Sequence, residues 1–250
     1  MLLIYLLIFL YGITLGSFYN VVGLRVPINE SIVSPRSHCS SCGRTLSTME
    51  LVPVLSYVLL RGKSKCCKAS ISPFYPIFEL LTGVLFVISP LLLGWSSELF
   101  VSWTLISLFI IITVADLKYM IIPDKVLLVF SVIFIIERFF IPLHPWWNSL
   151  LGAVVGFTLL LIIAIVSKGG MGGGDIKLFA VIGFVLGIKL LFVAFFLSTF
   201  LGTIGGLIGM ALGKSKKKQP IPFGPYIALG TLIAYYFGNS IIQWYLNIVL

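Results

Sequence analysis

Long apolar runs separated by short polar stretches dominate this chain. They fall at residues 2–22, 74–93, 99–115, 125–140, 149–167, 176–213 and 225–250. A bilayer core of about 30 Å takes about 20 apolar residues per helix, so each run predicts a membrane-crossing helix. The 176–213 tract is too long for one crossing, and Gly187, Ile188 and Lys189 interrupt it with a small residue and a charge. Splitting it there predicts an all-α polytopic membrane protein of about eight transmembrane helices, two of them short. The one substantial polar segment, 25–72, follows the first helix. Its apolar patch, 51–60, is too short to cross and predicts an interfacial or packed amphipathic piece. The domain reading is a first helix at 1–22, a cysteine-bearing loop at 23–73 and a transmembrane core at 74–250.

Composition agrees with this pattern: 59% of residues are hydrophobic and 10% charged, against roughly a quarter charged in a soluble domain. The net charge of +9 invites a nucleic-acid reading until its distribution is followed. Placing the first loop in the cytosol puts Arg25, Arg36, Arg44, Arg61, Lys63, Lys65 and Lys68 inside. Alternation then adds Lys118, Lys125, Lys168, Lys177 and the run Lys214, Lys216, Lys217 and Lys218. Only Arg138 and Lys189 remain near the outer face, with both termini outside. This is the positive-inside pattern, so the charge reports topology and no nucleic-acid partner follows; the 214–218 run reads as a lipid-facing anchor. Residues 1–22 lack a basic start, and bulky Phe18 and Tyr19 follow Gly16-Ser17, so the segment reads as a retained helix and not a cleaved signal. All four cysteines fall in the first loop, on the reducing side, where metal binding explains them better than disulfides.

Eight acidic residues in so apolar a chain can be taken one at a time. Glu30 and Glu50 lie in the polar loop and Glu98 in a short outer loop. Glu137 adjoins Arg138, which predicts a local pair or snorkelling to the interface. Asp116 closes the third long helix after Ile110-Ile111-Ile112-Thr113-Val114-Ala115, and an ionisable group there is functional by default. Asp175 follows a run with five glycines, Gly169, Gly170, Gly172, Gly173 and Gly174, and precedes an apolar helix. As an N-cap it would accept first-turn amides. A cap does not need five glycines, whereas a backbone able to take positive φ, and free of side chains, suits close approach by an extended substrate. The inferred topology puts Asp116 and Asp175 at one membrane depth. Two such carboxylates share a proton; the ionised member can take a proton from water while its partner donates to a carbonyl oxygen. The two histidines, His38 beside the cysteines and His144 in an outer loop, offer no competing nucleophile–base pair. Asp124 follows Pro123 at a helix start and reads as a supporting residue, and Glu79, early in the second long helix, as one that orients a cation, reads substrate or stabilises the bundle. A transporter would place acids at mid-helix in matched halves, and a purely structural assembly factor leaves the glycines without a reason.

In order and spacing the chain resembles the bacterial type IV prepilin peptidases, leader peptidases and N-methyltransferases within the membrane aspartyl proteases whose signature is Gly-x-Gly-Asp. The likeness runs through Gly16-Ser17-Phe18-Tyr19-Asn20 to Arg25 and Pro27, Arg36-Ser37-His38-Cys39 with Cys42, Leu55-Ser56-Tyr57, Leu60-Arg61-Gly62-Lys63 and Tyr75-Pro76 with Glu79. Ala115-Asp116 with Ile122-Pro123-Asp124 matches the family's first aspartate motif, and Gly172-Gly173-Gly174-Asp175 with Lys177 its second. The resemblance assigns catalysis to Asp116 and Asp175, with Gly172, Gly174, Asp124, Lys177 and Glu79 in support. It implies substrates that are prepilins or the pseudopilins of type II secretion and DNA uptake, cut after a leader glycine at the cytosolic face of the bacterial inner membrane, with no cofactor needed for proteolysis. A pilin-binding assembly factor without cleavage is the competing role.

The resemblance implies two Cys-x-x-Cys pairs, as many members of that family carry, and here the cysteines depart from it. Cys39-Ser40-Ser41-Cys42 is intact, but the second pair reads Ser64-Lys65-Cys66-Cys67. A structural zinc on Cys39, Cys42, Cys66 and Cys67, with His38 as substitute ligand, stands beside a set of reduced thiols. Use of S-adenosylmethionine rests on the resemblance alone, since no strand followed by Gly-x-Gly-x-x-Gly occurs.

Overall fold

The computed structural model describes residues 1–168, 170–212 and 221–249. The basic run at Lys214–Lys218 and Gly169 of the glycine loop lie outside the described residues. Among the described residues the regular elements are helical: α1 (Leu2–Arg25), α2 (Leu55–Leu59), α3 (Phe74–Leu93), α4 (Glu98–Tyr119), α5 (Asp124–Phe140), α6 (Trp147–Val166), α7 (Gly173–Ala211) and α8 (Gly224–Val249). The expected count of eight crossings is not met by length and apolar composition, which single out five helices among the described residues: 2–28, α3, α4, α6 and α7. α5 has only 17 residues, and α7, 39 residues in all, is two helices joined across a kink at Gly187, where the sequence divides the tract. The molecule is a multi-pass helical membrane protein. It divides into two compact units, Met1–Trp95 and Ser96–Leu250.

In the first unit α1 and α3 meet along a seam of small residues. A methyl group on Gly12 would lie 2.8 Å from the Gly83 Cα, and one on Gly16 would lie 2.8 Å from the Thr82 Oγ1. Lipid gives helices no hydrophobic reason to associate, so close backbone approach of this kind supplies the contact. The intervening loop is built from short turns, with 3-10 turns at Val26–Ile28 and Thr48–Leu51 and the small helix α2 in place of the apolar patch.

The second unit is centred on α4, apolar on every face and accordingly buried all round; Leu105, Ile106, Leu108 and Ile112 are completely covered. α6 packs on α7 through Gly152 and Gly183, where a side chain on either would strike the other's carbonyl. α7 breaks at Gly187, whose φ of 74° an L side chain resists. The freed amide of Ile188 donates to Asn148 Oδ1 at 3.1 Å, and Arg138 Nε and Nη2 donate to the Val185 carbonyl at 3.0 and 2.7 Å. Arg138 therefore does not pair locally with Glu137 or snorkel outward. It is 5% exposed and its Nη1 meets Glu98 Oε1 at 2.7 Å, because the broken turn of α7 offers a carbonyl that needs a donor. Glu137 Oε1 accepts the Thr104 hydroxyl instead, at 2.6 Å.

Candidate active site

α4 ends in the left-handed Met120 (φ 55°), whose amide returns to the Asp116 carbonyl at 2.8 Å, so Asp116 occupies the last full turn. Its side chain is buried, at 6% exposure. Oδ2 accepts the amide of Gly224 at 2.7 Å. Gly224 opens α8, where backbone N–H groups are free and the helix dipole favours an anion. The approach is so close that a Cβ on Gly224 would stand 2.9 Å from Asp116 Oδ2 and 3.1 Å from its Cβ. Sequence reasoning missed this residue: it began the last helix at Pro225, although Gly224-Pro225 is a recognisable helix-start pair.

Asp175 is the third residue of α7, and its Oδ2 accepts the Gly172 amide at 3.2 Å. It therefore caps the first turn from inside the helix and is not the N-cap itself. Asp116 and Asp175 stand close enough that the charge of Asp116 acts on the Asp175 carboxyl, so the structure brings together the two acids the sequence singled out.

The glycines serve a different end from the expected positive φ. Among the described residues of that loop only Lys168 adopts one, at 52°. Gly174 is needed for closeness, since a Cβ there would lie 2.7 Å from the Ile122 Cβ, whereas one on Gly173 would meet nothing within 4 Å. The start of α7 is thus pressed onto the segment leading to Asp124. Lys177 Nζ and Asp124 Oδ2 pair at 2.7 Å across the same junction, with both side chains more than half exposed. Glu79 finds its partners in the first unit, accepting the Val54 amide at 2.7 Å and the Ser17 hydroxyl.

The cysteine loop forms two similar turns. In one, the Cys39 amide donates to the Arg44 carbonyl at 2.9 Å, with Gly43 at φ 70°. In the other, the Ser64 amide donates to the Ala69 carbonyl at 2.8 Å, with Lys68 at φ 61°. Ser64 and Cys67 thus stand where Cys39 and Cys42 stand. The four sulfurs lie within 4.8 Å of one another and can hold a metal ion. Cys39–Cys67 and Cys66–Cys67 are 3.7 and 3.8 Å apart, Cys42–Cys66 3.1 Å; tetrahedral zinc–sulfur bonds of about 2.3 Å would set sulfurs about 3.8 Å apart. The amides of Cys42 and Ser41 point at Cys39 and hold its thiol down at about 6, toward the thiolate a metal requires. Cys42 is pushed up to about 12, chiefly by its thiol's hydrogen bond to Cys66. His38 is not part of the cluster; its Nδ1 is 3.2 Å from the Arg36 carbonyl.

Comparison with known proteins now bears on this arrangement. Residues 103–207, which include both aspartates, match the type IV leader peptidase family, and residues 10–93 match the bacterial peptidase A24 N-terminal domain. The chain is 46% identical over 244 residues to the prepilin leader peptidase/N-methyltransferase of Bacillus subtilis (strain 168), covering 98% of each. It is 33% identical to the protein of that name from Aeromonas salmonicida (strain A449), covering 98% of this chain and 94% of that one.

The chain belongs to the type IV leader peptidase family.

A further relative, from Neisseria gonorrhoeae, is 34% identical over 212 residues, 72% of this chain and 73% of its own. No solved structure matches. The two family matches divide at the same place as the two compact units: the first ends at residue 93 and the second begins at 103, on either side of Trp95.

Proposed function

We infer that this chain is a membrane aspartic endopeptidase that removes the basic leader of type IV prepilins or pseudopilins, cutting after glycine at the cytosolic face. The observation that carries the reading is the meeting of Asp116 and Asp175 at helix ends, each held by one backbone amide. Such a pair shares one proton and titrates as a unit. One carboxylate takes a proton from water as it attacks the glycine carbonyl, the other donates to the carbonyl oxygen, and the proton then passes to the leaving amine. The Gly224 and Gly172 amides leave each acid an oxygen for this work. The open face at Gly173 is where the extended junction of the substrate lies, and Asp124 with Lys177 keeps the two motifs in register.

The positive-inside distribution supports a cytosolic first loop and both termini outside. Counting α5, α8 and the two parts of α7 on either side of Gly187 gives eight crossings. Peptidase chemistry belongs to 74–250, and the loop at 23–73 holds a structural zinc on Cys39, Cys42, Cys66 and Cys67. The shared name of the relatives brings N-methylation of the new terminus with S-adenosylmethionine as a second activity.

The test is mass spectrometry of a pilin-like precursor incubated in membranes with the protein and S-adenosylmethionine. Loss of the leader is expected, with the mass of one added methyl group on the product. Asp116→Asn and Asp175→Asn each abolish cleavage, and Asp124→Asn slows it less, as suits an exposed ion pair. Full cleavage by either of the first two variants would sink the assignment.

A further inference from the structure

The polar cluster around Arg138 lies outside both the aspartate site and the cysteine loop. It sits where α7 turns back on itself at Gly187. The rings of Phe179 and Phe195, sixteen positions apart in sequence, have centroids only 5.9 Å apart, where one straight helix would separate them by roughly 24 Å. The half before the turn, residues 173–186, carries Asp175 near its inner end. From there to Val185 is about 15 Å along the helix.

The turn at Gly187 is not helical, and carbonyls that end a helix need donors from elsewhere. Val185 receives two from Arg138 of α5, whose Nε and Nη2 fork onto its carbonyl while Nη1 meets Glu98 Oε1. Glu98 opens α4, and the last turn of that helix holds Asp116. The other oxygen of Glu98, Oε2, accepts the Tyr235 hydroxyl of α8 at 2.6 Å. The Ser102 and Tyr236 hydroxyls, 2.6 Å apart, add a second link between α4 and α8. α8 begins at Gly224, the residue whose amide Asp116 accepts. The three helices that bring Asp175, Asp116 and the Gly224 amide together at the inner end are thus tied to one guanidinium toward the outer end.

On its other side the half-helix of Asp175 meets α6 through glycines, with Gly152 against the Gly183 carbonyl and Gly156 against that of Phe179. Such a contact sets the distance between two axes, but at those positions no side chain interlocks to stop sliding. Arg138 supplies a stop along the axis. The helix between is rigid, so a slip at Val185 reaches Asp175, and a misplacement of about 1 Å at reacting groups costs on the order of 100-fold in rate.

We propose that Arg138 is a positioning residue for the aspartate pair: by forking between the Val185 carbonyl and Glu98, it fixes where Asp175 stands against Asp116. Its catalytic consequence rests on the peptidase reading above.

Arg138→Lys tests this, because lysine keeps a cation for Glu98 but has one nitrogen, which cannot fork between a carbonyl and a carboxylate. Two measurements are made on the full chain in lipid nanodiscs, beside a melting curve. One is kcat and KM for precursor cleavage. The other needs no catalysis: with Asp116→Cys and Asp175→Cys combined, the rate of disulfide formation between the two positions reports how closely they meet. Copper–phenanthroline is the oxidant, and peptide mass spectrometry locates the bond. Thr104→Val is the control, since the Thr104 hydroxyl bond to Glu137 joins α4 to α5 alone. Arg138→Lys is expected to lower kcat by roughly 100-fold with KM held and to slow the cross-link, whereas Thr104→Val leaves both as in the parent. If Arg138→Lys does not melt cooperatively, Tyr235→Phe, which frees Glu98 from α8, takes its place with the same directions expected. Parent-like kcat or parent-like cross-linking in the folded variant overturns the proposal. So does a Thr104→Val variant of similar melting temperature that loses as much of both, or failure of the cross-link with Arg138 intact. If the parent cleaves no precursor, the peptidase reading fails, and the cross-link alone decides the placement.

Discussion

Gly224→Ala tests the geometry of the aspartate pair without touching either acid. The added methyl would stand 2.9 Å from Asp116 Oδ2 and 3.1 Å from its Cβ, both inside the separation a carbon tolerates. Asp116 is 6% exposed and cannot swing clear, so the start of α8 must move and the 2.7 Å hydrogen bond from the residue-224 amide lengthens. A hydrogen bond to a charged group contributes about 1.5–3 kcal/mol, which in a transition state that relies on it is roughly 10- to 150-fold in rate. Alanine is the better helix former, so helix propensity gives no reason for the variant to melt early. The assay is kcat and KM for precursor cleavage in nanodiscs, beside a melting curve. A fall in kcat with KM and melting temperature held is the expected result. Cleavage at the parent's rate would refute the claim that the Gly224 amide positions Asp116.

Three further outcomes are expected. Arg138→Met leaves the Glu98 carboxylate without its cation and the Val185 carbonyl without its donors, a loss of about 3 kcal/mol, the low end for a broken buried pair because the Glu98 side chain is 34% exposed; thermal unfolding in detergent checks it. Glu50 is held below the usual carboxylate range by the Ser47 amide and hydroxyl and then by Arg44, so its contribution is present above the unfolded value of about 4 and is lost as pH falls through the lower folded value. Glu50→Gln should therefore make the first loop easier to cleave with protease at neutral pH, and the difference from the parent should vanish under acid. Cys66→Ser should lower bound zinc measured by elemental mass spectrometry, and adding Ser64→Cys to it should restore the metal; zinc unchanged in Cys66→Ser would remove that residue from the ligand set.

Much of the architecture was legible because a bilayer imposes length and hydrophobicity, both visible in single runs of residues. The two acids were legible for the same reason, since an ionisable group at the end of an apolar helix stands out against its neighbours. What escaped depends on contacts between distant segments. Nothing local to Gly224 says that Asp116, more than a hundred positions earlier, needs its amide. Arg138 misled because an adjacent glutamate is the obvious partner in sequence, whereas the break in α7 supplied carbonyls that only the fold brings near. The break at Gly187 falls where the sequence placed a boundary, with helix on both sides; the shortfall in the count lies with α5, 17 residues long, and α8, neither of which is among the five helices that length and apolar composition single out.

The cysteine loop shows how a departure from a family's spacing can leave its chemistry open. Two turns of the same design face each other, each with a residue of positive φ after its second ligand position. The first uses both of its positions, Cys39 and Cys42. The second has Ser64 where a thiol is expected, and Ser64 Oγ lies 3.2 Å from Cys67 Sγ, as a hydrogen-bonding neighbour. Cys66, one residue before Cys67, reaches Cys42 from its own side of the turn. A fourth sulfur is thus present although the Cys-x-x-Cys spacing is lost, because a turn displays consecutive side chains toward the same facing partner. Spacing is a proxy for where a turn puts its side chains, and here the turn geometry is the better guide to the donor set.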